Sequence, residues 1–262
     1  DFLEREIDAE RRPNGEIILR QRIPLNEYQR CIPLYLAKWA EERPDQTWLA
    51  QRRGPDRAWK RVSYAQAKHD VDALTQALID MKLTPEQPVA ILSGNSIEHA
   101  LMTQAAMQAG IPAAPVSPAY SMMSMDHAKL RYIFDLIKPG VVMVQDGVAF
   151  SRALKALDLT GVTVVHVERP CEGVESRAWS DLVATKRTDA VDRAIAAIGP
   201  KTVGKLLFTS GSTGMPKAVI NTQEMMCANV VMGQMTRKRK ESDPRMVVLD
   251  WLPWNHTMGG NA

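Results

Sequence analysis

Two short apolar runs, Leu206-Leu207-Phe208 and Ala218-Val219-Ile220, are separated by Thr209-Ser210-Gly211-Ser212-Thr213-Gly214-Met215-Pro216-Lys217. Apolar runs this short, bounded by turn residues, predict strand, loop and strand. Four hydroxyl side chains, two glycines and one lysine fall within the nine residues of the loop. Glycine reaches positive φ and lets backbone N–H groups come close to a ligand. The hydroxyls add donors, and Lys217 adds a point charge suited to phosphate. A plain Ser/Gly turn is the competing reading. The closing lysine, with the rigid Pro216 before it, favours an anion-binding loop. Its candidate phosphate-binding residues are Thr209, Ser210, Gly211, Ser212, Thr213, Gly214 and Lys217.

The loop is not a Walker A element, which needs Gly-x4-Gly-Lys-Ser/Thr opening a helix. Met215 and Pro216 separate Gly214 from Lys217, and a strand follows. The next helix is expected from Asn221, an N-cap with Glu224 three positions on. Anion affinity would therefore come from N–H groups, hydroxyls and Lys217 rather than from a helix dipole. No Gly-x-Gly-x-x-Gly is present, so nothing points to a Rossmann dinucleotide site.

Along the chain, strands and helices alternate without an internal repeat. Residues 1 to about 30 are charged, with a turn expected at Arg12-Pro13-Asn14-Gly15, and read as a surface extension. Helices are expected over Ile32–Glu42 and Ser63–Met81. In the second, Ser63 and Gln66 form a capping box, and Ala67, Val71, Leu74, Leu78 and Met81 share a face. Another helix follows Gly94-Asn95-Ser96 and reaches about Ala109, and a fourth is expected over Met125–Lys138. Strands are expected at Val89–Leu92, Ile111–Val116, Val141–Val144, Val162–Val167, Leu206–Thr209 and Met246–Leu249. The prolines of the second place it near a sheet edge or a strand end. This alternation predicts an α/β fold with a mostly parallel sheet covered on both faces by helices. In such sheets ligands sit at the carboxyl ends of strands, which is where both candidate loops would lie.

The second candidate loop is Asp250-Trp251-Leu252-Pro253-Trp254-Asn255-His256-Thr257-Met258-Gly259-Gly260. Gly259 and Gly260 would let a ligand approach the backbone. Trp251 and Trp254 could contact an aromatic acid or anchor the core. An arbitrary histidine is more often a core group bonded to a carbonyl. The flanking residues favour a site role for His256, as a positioner rather than a general base.

Thr-Ser-Gly-Ser-Thr-Gly-x-Pro-Lys resembles the phosphate loop of the adenylate-forming enzymes: acyl-CoA synthetases, non-ribosomal peptide adenylation domains and luciferases. The segment from Asp250 to Gly260 resembles the family's Pro-aromatic-x-His-x-x-Gly signature. Its Trp-Leu-Pro-Trp-Asn-His-Thr wording is most similar to feruloyl-CoA synthases and related aromatic-acid ligases. Weaker resemblance lies in Val62-Ser63-Tyr64-Ala65-Gln66 and in Gln108 to Pro118. The likeness runs from about Ile32 to the last residue. It implies a carboxylic acid, such as the hydroxycinnamate ferulate, as substrate, with ATP, Mg²⁺ and CoA as co-reactants. Acyl-adenylate would form first and the CoA thioester second. It also implies that His256 lines the acyl site, with Trp254, Thr257, Met258 and Gly259 around the substrate. Family members are about twice as long as these 262 residues. The chain therefore reads as a 1–30 extension followed by part of an N-terminal domain over 31–262, expected to be inactive alone. The family's adenine site, magnesium ligand, hinge and C-terminal lid would lie beyond it, and no metal ligand is assigned within it.

Composition fits a cytoplasmic enzyme of this kind. The apolar share of 45% suffices for a core, and the net charge of +3 calls for neither nucleic acid nor membrane. No membrane span and no secretory leader are visible, and oligomeric state is not encoded legibly. Cys31, Cys171 and Cys227 have neither the pairing nor the spacing of a disulfide framework or zinc site. His69, His99, His127 and His166 read as structural or surface groups, Arg237-Lys238-Arg239-Lys240 as a solvated loop, and the methionines as packing. The alternative to a ligase is a non-catalytic nucleotide- or anion-binding module. A phosphotransferase of P-loop type is disfavoured by the missing Gly-Lys-Ser/Thr.

Overall fold

The computed structural model describes residues 6–210, 214–236 and 246–261. It opens on an antiparallel hairpin, β1 (Ile7–Arg11) and β2 (Ile17–Gln21). The turn at Arg12–Gly15 is where the sequence puts it: Arg12 N–H donates to the Glu16 carbonyl at 2.8 Å, and Gly15 takes φ +86°. The flanking strands were not legible because they are solvated on both faces and linked by surface ion pairs such as Arg20–Glu10. Helix α1 (Pro33–Glu42) precedes a second hairpin, β3 (Thr47–Arg53) and β4 (Ala58–Ser63). Helix α2 (Tyr64–Asp80) starts at Ser63, whose Oγ accepts the Gln66 N–H at 3.2 Å. The reciprocal half of the expected capping box is absent, because the Gln66 amide donates forward to Asp70 at 2.7 Å.

The main sheet is built from β5 (Val89–Leu92), β6 (Ala113–Pro115), β7 (Val141–Val144), β8 (Thr163–His166), β9 (Arg177–Ala178), β10 (Val203–Ser210) and β11 (Pro216–Thr222). Helix α3 (Ile97–Gln108) joins β5 to β6, and α4 (Pro118–Met122) with α5 (Ala128–Ile137) leads to β7. Then come α6 (Gly147–Lys155) before β8, and α7 (Trp179–Val183) and α8 (Ala190–Ala197) before β10. Helix α9 (Gln223–Gln234) and the short α10 (Thr257–Gly260) complete the described elements. Strand order is β11-β10-β6-β5-β7-β8-β9, and every neighbouring pair is parallel except β10 with β11. The expected α/β class with a mostly parallel, helix-covered sheet is the fold found.

Period-two alternation sends side chains to two separate cores. Val89, Ile91, Val141, Met143 and Val165 pack with Leu74 and Leu78 of α2 and with Leu101 and Met102 of α3. Ala90, Leu92, Val142, Val144 and Val164 pack with Leu130, Ile133 and Phe134 of α5 and with Phe150 and Leu154 of α6. Because both faces are covered, these strands read in sequence as unbroken apolar runs.

One open choice is decided, and three expectations need correction. Strand β6 is interior, between β5 and β10, so its prolines mark strand ends and not an edge. Pro112 precedes it and uses only its carbonyl, accepting Val89 N–H at 2.9 Å. Helix α9 starts at Gln223 rather than Asn221. Thr222 supplies the cap, its Oγ accepting Met225 N–H, while Asn221 remains in β11. Helix α5 starts at Ala128 rather than Met125, because Ser124 and Asp126 bond the N–H groups of His127 and Ala128 and hold a turn there. Met246–Leu249 is not a strand. It pairs with no described residue and all four side chains are exposed, Val247 at 92%. An apolar run becomes a strand only where another strand receives its backbone groups.

Candidate functional site

The first candidate loop is the tip of the β10–β11 hairpin, as expected. Thr209 pairs with Lys217 and Ser210 with Pro216. Directly opposed residues of an antiparallel pair project to the same face, so Thr209 and Lys217 share one. Alternation places Lys205 and Leu207 on that face as well, while Leu206 and Phe208 turn into the α5–α6 core. Lys217 is exposed and has no ion-pair partner among the described residues. Gly214 takes φ +83° with open space where a Cβ would stand, the conformation for which glycine was read. Gly211, Ser212, Thr213 and the Ser210 side chain lie outside the described residues, as does Arg237-Lys238-Arg239-Lys240.

The second candidate loop does not leave a strand. It folds onto the carboxyl end of β5 and the first turn of α3. Asn95 grips it with both ends of its amide: Nδ2 donates to the Leu252 carbonyl at 2.7 Å, and Oδ1 accepts Trp254 N–H at 2.9 Å. The Trp254 ring meets His99 edge to face, centroids 5.4 Å apart, and its Nε1–H donates to Asp250 at 2.6 Å. Trp251 is 81% exposed and so anchors no core. The Pro253 carbonyl accepts His256 N–H at 3.0 Å, and the His256 carbonyl accepts Gly260 N–H at 2.7 Å. His256 itself caps α10, its Nδ1 accepting Met258 N–H at 3.4 Å. With Nδ1 engaged as acceptor, the neutral ring carries its hydrogen on Nε2.

Gly259 and Gly260 serve a purpose other than the one read from sequence. A Cβ on Gly259 would stand 2.6 Å from the Pro253 carbonyl oxygen, and one on Gly260 would stand 2.6 Å from that of Trp254. It is the loop's own carbonyls that approach these glycines. Behind Gly260 lies β10: Leu207 packs there, and Lys205 Nζ donates to the Gly260 carbonyl. The two candidate loops therefore meet on one face of one strand, Thr209 lying two residues beyond Leu207.

A cleft of about 730 Å³ runs between this unit and α9, lined by Met225, Ala228, Asn229 and Met232 with Thr257, Met258 and Asn261. Of the expected pocket residues, Thr257 and Met258 line it. Trp254 and His256 lie elsewhere on the loop, and Gly259 is buried beneath it. The exposed Met225 and Met232, read as packing, form the cleft wall. A second cavity of about 980 Å³ contains Lys205 with Tyr35, Trp48, Tyr64 and Gln104. Burial pushes the Lys205 ammonium down to about 8. Burial likewise takes His99 down to about 4, although its Nδ1 faces the Gly94 carbonyl at 3.1 Å.

Sequence reasoning missed Asn95, His99 and Lys205. Asn95 stood inside a Gly-Asn-Ser turn, and its amide partners lie more than 150 positions away. Lys205 carried one available signal, a charge inside an apolar strand. Among the described residues no three His, Cys, Asp or Glu side chains converge on a metal position, and no helix is long and apolar enough to cross a membrane.

Comparison with known proteins bears on the whole arrangement. Over 198 residues the chain is 28% identical to the 3-[(3aS,4S,7aS)-7a-methyl-1,5-dioxo-octahydro-1H-inden-4-yl]propanoyl:CoA ligase of Mycobacterium tuberculosis, covering 73% of this chain and 36% of that protein. It is 28% identical over 188 residues to the oxalate–CoA ligase of Arabidopsis thaliana, covering 71% and 34%. The chain thus spans about a third of the length of these relatives. Among solved structures, a luciferase-like enzyme of the mealworm Zophobas morio superposes with a TM-score of 0.62 at 16% identity, over 81% of this chain and 47% of that one, a likeness of fold. The model of the AMP-binding enzyme family matches residues 36–262, and the chain belongs to that family.

Proposed function

We propose that these residues form the phosphate- and acid-binding part of an ATP-dependent acid–thiol ligase. Residues 31–262 belong to its large domain, and residues 1–30 form an extension on it. A carboxylate oxygen attacks the α-phosphorus of ATP, and the bond to pyrophosphate breaks with its electron pair leaving on pyrophosphate. The thiol sulfur of CoA, losing its proton to solvent, then attacks the acyl carbon, and the bond to AMP breaks with its electron pair leaving on AMP. The observation that carries this reading is the shared face of the β10–β11 pair, where Thr209 and Lys217 stand opposite each other on the face that, along β10, meets the unit holding His256. A nucleotide gripped at one end of that face and an acid at the other would bring the reacting atoms together.

In this reading Lys217 and the hydroxyls of Thr209, Ser210, Ser212 and Thr213, with the backbone of Gly211 and Gly214, draw charge onto the departing pyrophosphate. Mg²⁺, arriving with the triphosphate, would supply further neutralisation of its oxygens. The cap bond at Nδ1 leaves His256 Nε2–H to donate to the acid, which suits a positioner. Thr257 and Met258, the next two residues of the loop, supply the cleft wall that faces α9. The finer part of the proposal is an aromatic acid, a hydroxycinnamate such as ferulate, which rests on the wording Trp251-Leu252-Pro253-Trp254-Asn255-His256-Thr257. A non-catalytic anion-binding module is less favoured, since relatives sharing this region carry ligase names.

The test is ATP–pyrophosphate exchange by the full-length protein against a panel of carboxylic acids. Acid-dependent exchange is expected, strongest with hydroxycinnamates. Lys217→Ala should slow it about a hundredfold, the scale of losing one charge-stabilising donor. Exchange with no acid in the panel, or an unchanged rate in the lysine variant, would remove the reading.

A further inference from the structure

The ligase reading gives Asn95 no role, yet it has the most specific contact with the second loop. Pro253 has no N–H, so the turn it makes cannot close through its own nitrogen. Asn95 closes it from outside, donating to the residue before the proline and accepting from the residue after it. An amide carries its donor and its acceptor on separate atoms and so does both at once.

Asn95 is itself held. Its carbonyl accepts the Gln51 amide at 3.3 Å, and Gln51 Oε1 accepts Ile97 N–H at 3.2 Å. Arg53 donates to the same oxygen and pairs with the buried carboxylate of Glu98. That pairing and the accompanying ion contacts hold Glu98 below the usual carboxylate range against its burial. From Asn95 the path to His256 is short: the gripped turn presents the Pro253 carbonyl, and that carbonyl takes the His256 N–H.

We propose that Asn95 is a positioning residue for His256, setting the second loop in place for the acid. The proposal rests on the ligase reading. Its test uses the full-length protein and separates the two. Asn95→Ala removes both bonds. Asn95→Asp keeps the acceptor for Trp254 and sets a carboxylate oxygen against the Leu252 carbonyl, which holds the position if the alanine variant does not fold. In acid-dependent pyrophosphate exchange each variant should raise the acid KM about tenfold, in Asn95→Ala from two lost hydrogen bonds and in Asn95→Asp from one lost bond and the carboxylate–carbonyl repulsion, with the ATP KM changed less than about twofold. Because the two residues act through one element, adding Asn95→Ala to His256→Ala should cost no more than about twofold beyond His256→Ala alone.

An unchanged acid KM, an equal rise in the ATP KM, or independent losses that multiply in the double variant would each overturn the role. Amide hydrogen exchange supplies a readout apart from activity. Residues 252–260 should exchange about tenfold faster in Asn95→Ala while β5 and β7 keep their protection. If the wild-type protein activates no acid, the ligase reading fails on that ground. Exchange over 252–260 then decides by itself whether Asn95 holds the loop, and unchanged protection there would sink the proposal.

Discussion

His99 stands 2% exposed with its ring edge against Trp254, and at neutral pH it is uncharged there. Its folded value is lowered from 6.5 to about 4, so between those values the unfolded chain binds a proton that the folded chain refuses. Stability is therefore lost as pH falls through that window, by on the order of 3 kcal/mol for this group. Urea midpoints at pH 7 and pH 4.5 should diverge less in His99→Gln than in the wild type, and parallel curves would show that His99 does not carry the effect. Gly259 offers a second test, because its missing Cβ accommodates the Pro253 carbonyl. Gly259→Ala should open the loop at a cost of roughly 1–3 kcal/mol, seen as faster proteolysis within residues 252–260. His256, Thr257 and Met258 could be singled out because their neighbours form a recognisable string. Asn95 could not, because a side-chain amide shows its partners only once the chain has brought them together.

Elements were legible where a single local rule decides them. Ser63 caps α2 because a hydroxyl at that place accepts an N–H three residues on, and the rule needs no tertiary knowledge. The same rule misassigned the start of α9, since Asn221 and Thr222 both qualify. What settles it is that β11 stays paired through Thr222, opposite Val203. Thr222→Ala should cost about 1 kcal/mol, measured as a lower urea midpoint with an unchanged slope. A drop much below that would return the cap to Asn221. Met246–Leu249 failed for a related reason. Strand propensity describes a half-buried pleated surface, and a run of Met, Val and Leu has that character whether or not a neighbouring strand is there to receive it.

The alternating pattern of apolar runs and amphipathic helices was enough to give the whole molecule's class, because a parallel sheet buried on both faces leaves that imprint. It could not give the joint between the two candidate loops, which depends on Lys205. That lysine sits on the loop-facing side of β10, half-buried, with its ammonium on the Gly260 carbonyl. Burial lowers its value from 10.5 to about 8, so the folded chain gives up this proton sooner than the unfolded chain does. Below pH 8 both states hold the proton, and the folded state bears the full cost of burying it. From 8 to 10.5 the unfolded state binds more protons, and stability rises with pH by at most about 1.4 kcal/mol per unit, less for a group only half-buried. Lys205→Met removes the titration together with the bond to Gly260. Its unfolding free energy should therefore rise less steeply than the wild type's between pH 8 and 10, while residues 252–260 exchange faster at every pH. Identical slopes in the two proteins would mean that the Lys205 ammonium is solvated, and the joint between the loops would then have to rest on Leu207 and the two glycines alone.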